Sequence, residues 1–90
     1  MGETGQVTVE FYGIPRHRAG RAELAVPAGT VGELLAAVER ACPALAGLAR
    51  DGRVSPHYLL SLDGQRFLTD LRQAVQPGER VLLLSADAGG

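Results

Sequence analysis

Apolar and polar residues alternate over residues 6–12, with Val7, Val9 and Phe11 on one face and Thr8, Glu10 and Tyr12 on the other, as a half-buried strand requires. Ala22, Leu24 and Val26 repeat the pattern over residues 21–26. The intervening segment, 13–20, holds two glycines and a proline, and it is expected to be a long basic loop that makes the two strands a hairpin. Pro27-Ala28-Gly29 ends the second strand. Thr30 and Glu33 then stand three residues apart, the spacing of a capping box that opens a helix. Val31, Leu34, Leu35 and Val38 form its apolar stripe, with Glu39 and Arg40 on the solvent side, and Pro43 makes continuation beyond Cys42 difficult. Leu45 and Leu48 are expected to pin a second short helical turn.

Residues 57–62 read as another strand, and Asp63-Gly64 before residues 65–68 is a two-residue hairpin signal. Leu71 and Val75 suggest a brief helical turn. Gln76-Pro77-Gly78-Glu79 is a turn into the last strand, 80–85, which is apolar on both faces as a centrally placed strand tends to be. The order is two strands, one main helix, then three strands, with the first and last expected to lie parallel at the centre. That order predicts an α+β β-grasp: a mixed five-stranded sheet covered on one face by one main helix, the other face left open to partners. The expected division is a domain over 1–85 and a flexible tail over 86–90.

Every residue from 81 to 84 is aliphatic, so either register sends two large side chains away from the helix. The preferred register buries Val81 and Leu83. It exposes Leu82 and Leu84 beside Leu59 and Tyr12 as a docking patch for a partner, against the plainer reading of scattered surface leucines or self-association.

Composition narrows the chemistry. Ninety residues allow one modest core. No apolar run is long enough for a membrane span and the first residues have no signal-peptide pattern, so a cytoplasmic location is expected. The lone Cys42 forms no internal disulfide and reads as a small core residue. Net charge is −1 with arginines dispersed among acids, which gives no field for nucleic acid. All nine basic residues are arginine, so no side-chain amine can accept an isopeptide bond. Arg16, His17, Arg18 and Arg21 cluster around the first connection, where they are either a solvated loop or a contact for an acidic surface. His57 has no triad partner at suggestive spacing. No metal cluster or phosphate loop is present in the sequence.

Four stretches carry a resemblance. They are Val26-Pro-Ala-Gly-Thr-Val-Gly-Glu-Leu-Leu35, Leu62-Asp-Gly64, Val75-Gln-Pro-Gly-Glu-Arg-Val81 and Ala88-Gly-Gly90. In this order and spacing the chain resembles the ubiquitin-like sulfur carriers, which include the small subunit of molybdopterin synthase and the thiamine-pathway carrier. The resemblance implies a carrier and cosubstrate, not an enzyme. An ubiquitin-activating-type adenylyltransferase would use ATP to activate the Gly90 carboxylate, and a cysteine desulfurase or rhodanese-like donor would convert it to a thiocarboxylate. Gly89 and Ala88 would form the tail, no cofactor or metal would be bound by the chain itself, and the molybdopterin-synthase type would add the large synthase subunit as a partner. That type is favoured. Segment 12–18 is unlike the usual start of that subunit and segment 50–57 is longer than in thiamine-type carriers, so carriers for thiamine, cysteine or natural products stay open, as does a protein modifier conjugated through Gly90 to target lysines.

Overall fold

The computed structural model describes residues 5–86; the predicted tail residues Ala88, Gly89 and Gly90 lie outside that range. Strands β1 (Gln6–Phe11) and β2 (Glu23–Pro27) pair antiparallel with Val7 opposite Val26. Their connection is not the expected open loop but a short helix, α1 (Gly13–Ala19). Pro15 sits in the first turn, where its missing N–H is no loss, and is buried. Gly20 closes the helix in the left-handed region at φ 72°, its N–H donating to the Arg16 carbonyl. The residues that signalled a break are the start and stop marks of a helix.

Strand β3 (Gly29–Thr30) leads into α2 (Val31–Ala41). The Glu33 N–H donates to Thr30 Oγ1 at 3.2 Å and the Thr30 N–H donates to Glu33 Oε1 at 2.9 Å, so both halves of the capping box are made. Val31, Leu34, Leu35 and Val38 are buried, and the helix stops at Cys42, which is also buried. Glu39 departs from its expected place in solvent. It is half-buried, and its Oε2 accepts the Leu48 N–H at 2.8 Å. That bond ties the strap following the 3₁₀ turn Pro43–Leu45 back onto α2. Leu45 and Leu48 are both fully buried, but only Leu45 lies in a helical turn.

Strands β4 (Ala49–Arg50) and β5 (Arg53–Val54) form a hairpin around Asp51-Gly52. It was legible in the same dipeptide that announced the hairpin at Asp63-Gly64. Strand β6 (Tyr58–Leu62) then pairs with β7 (Arg66–Phe67). The helical turn expected at Leu71 and Val75 is absent. Gln73 Oε1 accepts the N–H groups of both Thr69 and Asp70, which satisfies the backbone without a helix. Val75 belongs to β8 (Ala74–Val75), paired with β3. The Pro77-Gly78 turn, with Gly78 at φ 87°, delivers β9 (Arg80–Ser85).

The five-stranded sheet has the order β2-β1-β9-β6-β7, with β9 parallel to β1 and antiparallel to β6. The chain is therefore the expected α+β β-grasp, with α1 added beside β9 and the 3₁₀ turn. One face of the sheet supplies Val7, Val9, Phe11, Leu60, Val81 and Leu83 to a core closed by α2. Among the described residues, no helix is long and apolar enough to cross a membrane.

A Cβ on Gly29 would stand 2.3 Å from Glu33 Oε1, the atom that accepts the Thr30 N–H. Gly29→Ala should therefore displace the capping carboxylate and cost about 1 kcal/mol, as a lost cap does. Urea titration of the variant beside Thr30→Ala checks this: the double variant should lose little more than either single one.

Candidate functional site

Because side chains alternate, the pairing registers place Glu10, Leu82, Ser61 and Phe67 in one row across the open face, and Leu84 directly opposite Leu59. Leu82 and Leu84 are half-buried there, while their neighbours Val81 and Leu83 are about 1% and 0% exposed on the helix side. Tyr12 extends β1 past Phe11: its N–H donates to the Leu83 carbonyl at 3.1 Å and its ring is 42% exposed. Leu59, 38% exposed, completes the set. The structure thus brings Leu59, Leu82, Leu84 and Tyr12 onto one surface.

Phe67 is a member of that surface that the sequence reading missed, and at 62% it is the most exposed large apolar side chain among the described residues. Asp63 and Gly64 both take positive φ, 51° and 71°, and the Gln65 N–H donates to the Leu62 carbonyl, a two-residue turn of the expected kind. Strand pairing, however, sets Leu62 opposite Arg66, so Gln65 is an extra residue in the ladder. Without it Phe67 would face Leu60 on the helix side. With it Phe67 lies opposite Ser61 on the open face, and Leu68 takes the buried position.

A polar row borders the patch. Glu10 and Glu23 are directly opposed across β1 and β2, a repulsive pairing. Arg80 from β9 resolves it, bonding Glu10 Oε2 through Nε and Glu23 Oε1 through Nη2 at 3.0 Å. The Tyr12 hydroxyl donates to Glu10 Oε1 at 2.6 Å. This hydrogen bond first, and the Arg80 guanidinium second, hold the Glu10 carboxyl below the usual glutamate range, and the same carboxylate raises the Tyr12 phenol.

The chain leaves the sheet at the end that carries Tyr12. Past Ser85, the Ala86 N–H donates to the His57 carbonyl at 2.9 Å, which prolongs the β6 pairing by one step. Beside this exit lies a shallow groove of about 410 Å³ lined by Ile14, Arg18, His57, Tyr58 and Ser85. Gly90, Gly89 and Ala88 follow but are outside the described residues. Among the described residues, no three His, Cys, Asp or Glu side chains converge as a metal site would need.

No family model matches the chain, and no curated protein does. Solved structures do match. The solution structure of the Haloferax volcanii HVO 2177 protein is 29% identical, with a TM-score of 0.80 over 97% of this chain and 88% of the other. Crystalline small archaeal modifier protein 1 of the same organism is 25% identical, with a TM-score of 0.79 over 96% of this chain and 100% of the other. The chain has the ubiquitin-like fold and is similar to small archaeal modifier protein 1. A third match to this ubiquitin-like chain is the Pyrococcus furiosus protein assigned as molybdopterin converting factor subunit 1. At 14% identity and a TM-score of 0.75, over 91% of this chain and 98% of the other, it speaks for the fold alone.

The depressed native value of Glu10 makes its contribution to folding complete above the ordinary glutamate value of about 4.3, and lost as pH falls through the lower native one. Glu10→Gln should accordingly flatten the decline of the urea midpoint between about pH 4.5 and pH 3. Titrating both proteins over that range checks it; parallel declines would refute the assignment.

Proposed function

We propose that this chain is a sulfur carrier whose working group is the Gly90 carboxylate, with the small subunit of molybdopterin synthase as the favoured type. The observation that carries the reading is the path of β9. It is the central strand, parallel to β1, and it ends at Ser85 beside the apolar open face, five residues before Gly90 in the sequence. An α-carboxylate is ionised at neutral pH, so its oxygen can attack the α-phosphate of ATP, releasing pyrophosphate and forming an acyl-adenylate. A persulfide on the donor then attacks the acyl carbon and AMP leaves; a second thiol cleaves the S–S bond of the adduct, becoming a disulfide with the donor cysteine as the thiocarboxylate is freed. Glycine has no Cβ, which admits the tail to a narrow channel and leaves the carbonyl open to attack. Five residues beyond Ser85 reach about 17 Å when extended, enough to enter a neighbouring active site. In this reading Leu59, Leu82, Leu84 and Tyr12, with Phe67 at the edge, seat the activating enzyme, which supplies the ATP site. A cysteine desulfurase or rhodanese-like protein supplies the sulfur, and the large synthase subunit receives it.

The likeness to small archaeal modifier protein 1 supports a second reading, in which the same activated carboxyl is transferred to lysines of target proteins. Intact mass spectrometry of protein isolated with its native terminus separates the two. A carrier gains about 16 Da on its last residue by exchange of oxygen for sulfur, whereas a modifier appears as adducts on other chains. One residue added after Gly90 should abolish either outcome, and activity unchanged by it would sink both. Leu82→Asp with Leu84→Asp should raise the KM for adenylylation by tens of fold, about 2 kcal/mol or more. Its circular dichroism should remain that of the parent, because neither side chain is in the core.

A further inference from the structure

We propose that α1 is a cationic docking element that meets an acidic surface beside the tail channel of the activating enzyme; the inference rests on the carrier and modifier reading above. Arg16, His17 and Arg18 occupy the last turn of α1 and Arg21 follows its cap, all of them exposed. Ion pairs among the described residues use Arg72 and Arg80. None involves Arg16, Arg18 or Arg21, so these three charges do no pairing work inside the domain. Residues 11–22 contain no acid at all, although acids outnumber arginines in the whole chain.

The position of the cluster gives it a purpose. α1 packs on β9, and Arg18 lines the groove beside Ser85 at the end of β9, its Nη1 donating to the Tyr58 hydroxyl at 3.4 Å. Ile14, half exposed, lies in the same groove, and Tyr12 precedes the helix at the edge of the apolar patch. The surface therefore has the layout of a protein interface, apolar in the middle with a charged rim. A helix holds that rim rigidly, so docking orders fewer groups than it would with a loop. The chemistry that fits is a carboxylate-rich protein surface. A polyanion such as nucleic acid fits less well, since the net charge of the chain is −1. Rim charges of this kind steer encounter and set its salt dependence.

The test is ATP–pyrophosphate exchange by the activating enzyme encoded in the same genome, measured as KM for this chain against NaCl. For the native chain KM should rise about tenfold between about 50 mM and 500 mM salt. Arg16→Glu with Arg18→Glu should raise KM about tenfold at low salt, leave kcat within about twofold and flatten the salt slope. Arg16→Gln with Arg18→Gln, which puts no acid at the helix end, should give a smaller change in the same direction. Arg40→Glu with Arg66→Glu makes the same change of net charge on α2 and at the far hairpin and should leave KM as it was. A Glu pair with native KM and slope, or an equal loss in the Arg40 and Arg66 control, would overturn the docking role. No exchange with the native chain would instead overturn the carrier and modifier reading on which it rests.

Discussion

The parallel pairing of β1 with β9 is the constraint on which the rest of this structure depends. It joins Val9 to Val81 and Phe11 to Leu83, residues separated by almost the whole length of the chain. Parallel neighbours cannot be joined by a tight turn, so the chain between them must cross over a face of the sheet. α2 makes that crossing and brings its stripe of Val31, Leu34, Leu35 and Val38 onto the face where Val9, Phe11, Val81 and Leu83 point. The same register fixes what is left over. Once Val81 and Leu83 are buried, Leu82 and Leu84 must face outward, because successive side chains of a strand alternate.

This leftover surface is built mainly on central strands, with Phe67 of the edge strand β7 beside them. A sheet edge is commonly where another chain adds on, but here the leucines stand on β9 and β6, in the middle of the sheet. Polar bonding keeps the surface ordered. Arg80 holds together two opposed glutamates, and Tyr12 adds its hydroxyl to one of them, so the row beside the leucines is satisfied internally. The apolar part has no such partner. The geometry that buries the core is thus the geometry that presents the patch.

Two segments hold elements that the sequence pattern does not announce. Segment 13–20 becomes α1, and segment 49–54 becomes the β4–β5 hairpin. Segment 13–20 reads as a basic loop in the sequence, and segment 49–54 carries no expected element. In α1, glycine and proline suggest a break, although Pro15 near the start and Gly20 just past the end are the punctuation of a helix. In the hairpin the Asp51-Gly52 signal was present, but strands of two residues are too short to show alternation. Leu71 and Val75 misled by spacing alone, since Gln73 satisfies the backbone groups a helix would have used.

The sequence by itself determined the β-grasp order, the capping box at Thr30 and Glu33, the core stripe of α2 and the identity of the outward leucines on β9. Each of these rests on local periodicity or on a cap whose bonds close within a few residues, and such interactions are encoded where they act. The tertiary structure alone decided which face Phe67 joins, where Glu39 goes and that Arg80 spans Glu10 and Glu23. The first turns on one extra residue in a ladder, and the others on bonds from Glu39 to the Leu48 N–H and from Arg80 to strands far away in the chain. Pairings of that kind leave no periodic trace, because they depend on which strands and loops the folded chain has already placed side by side.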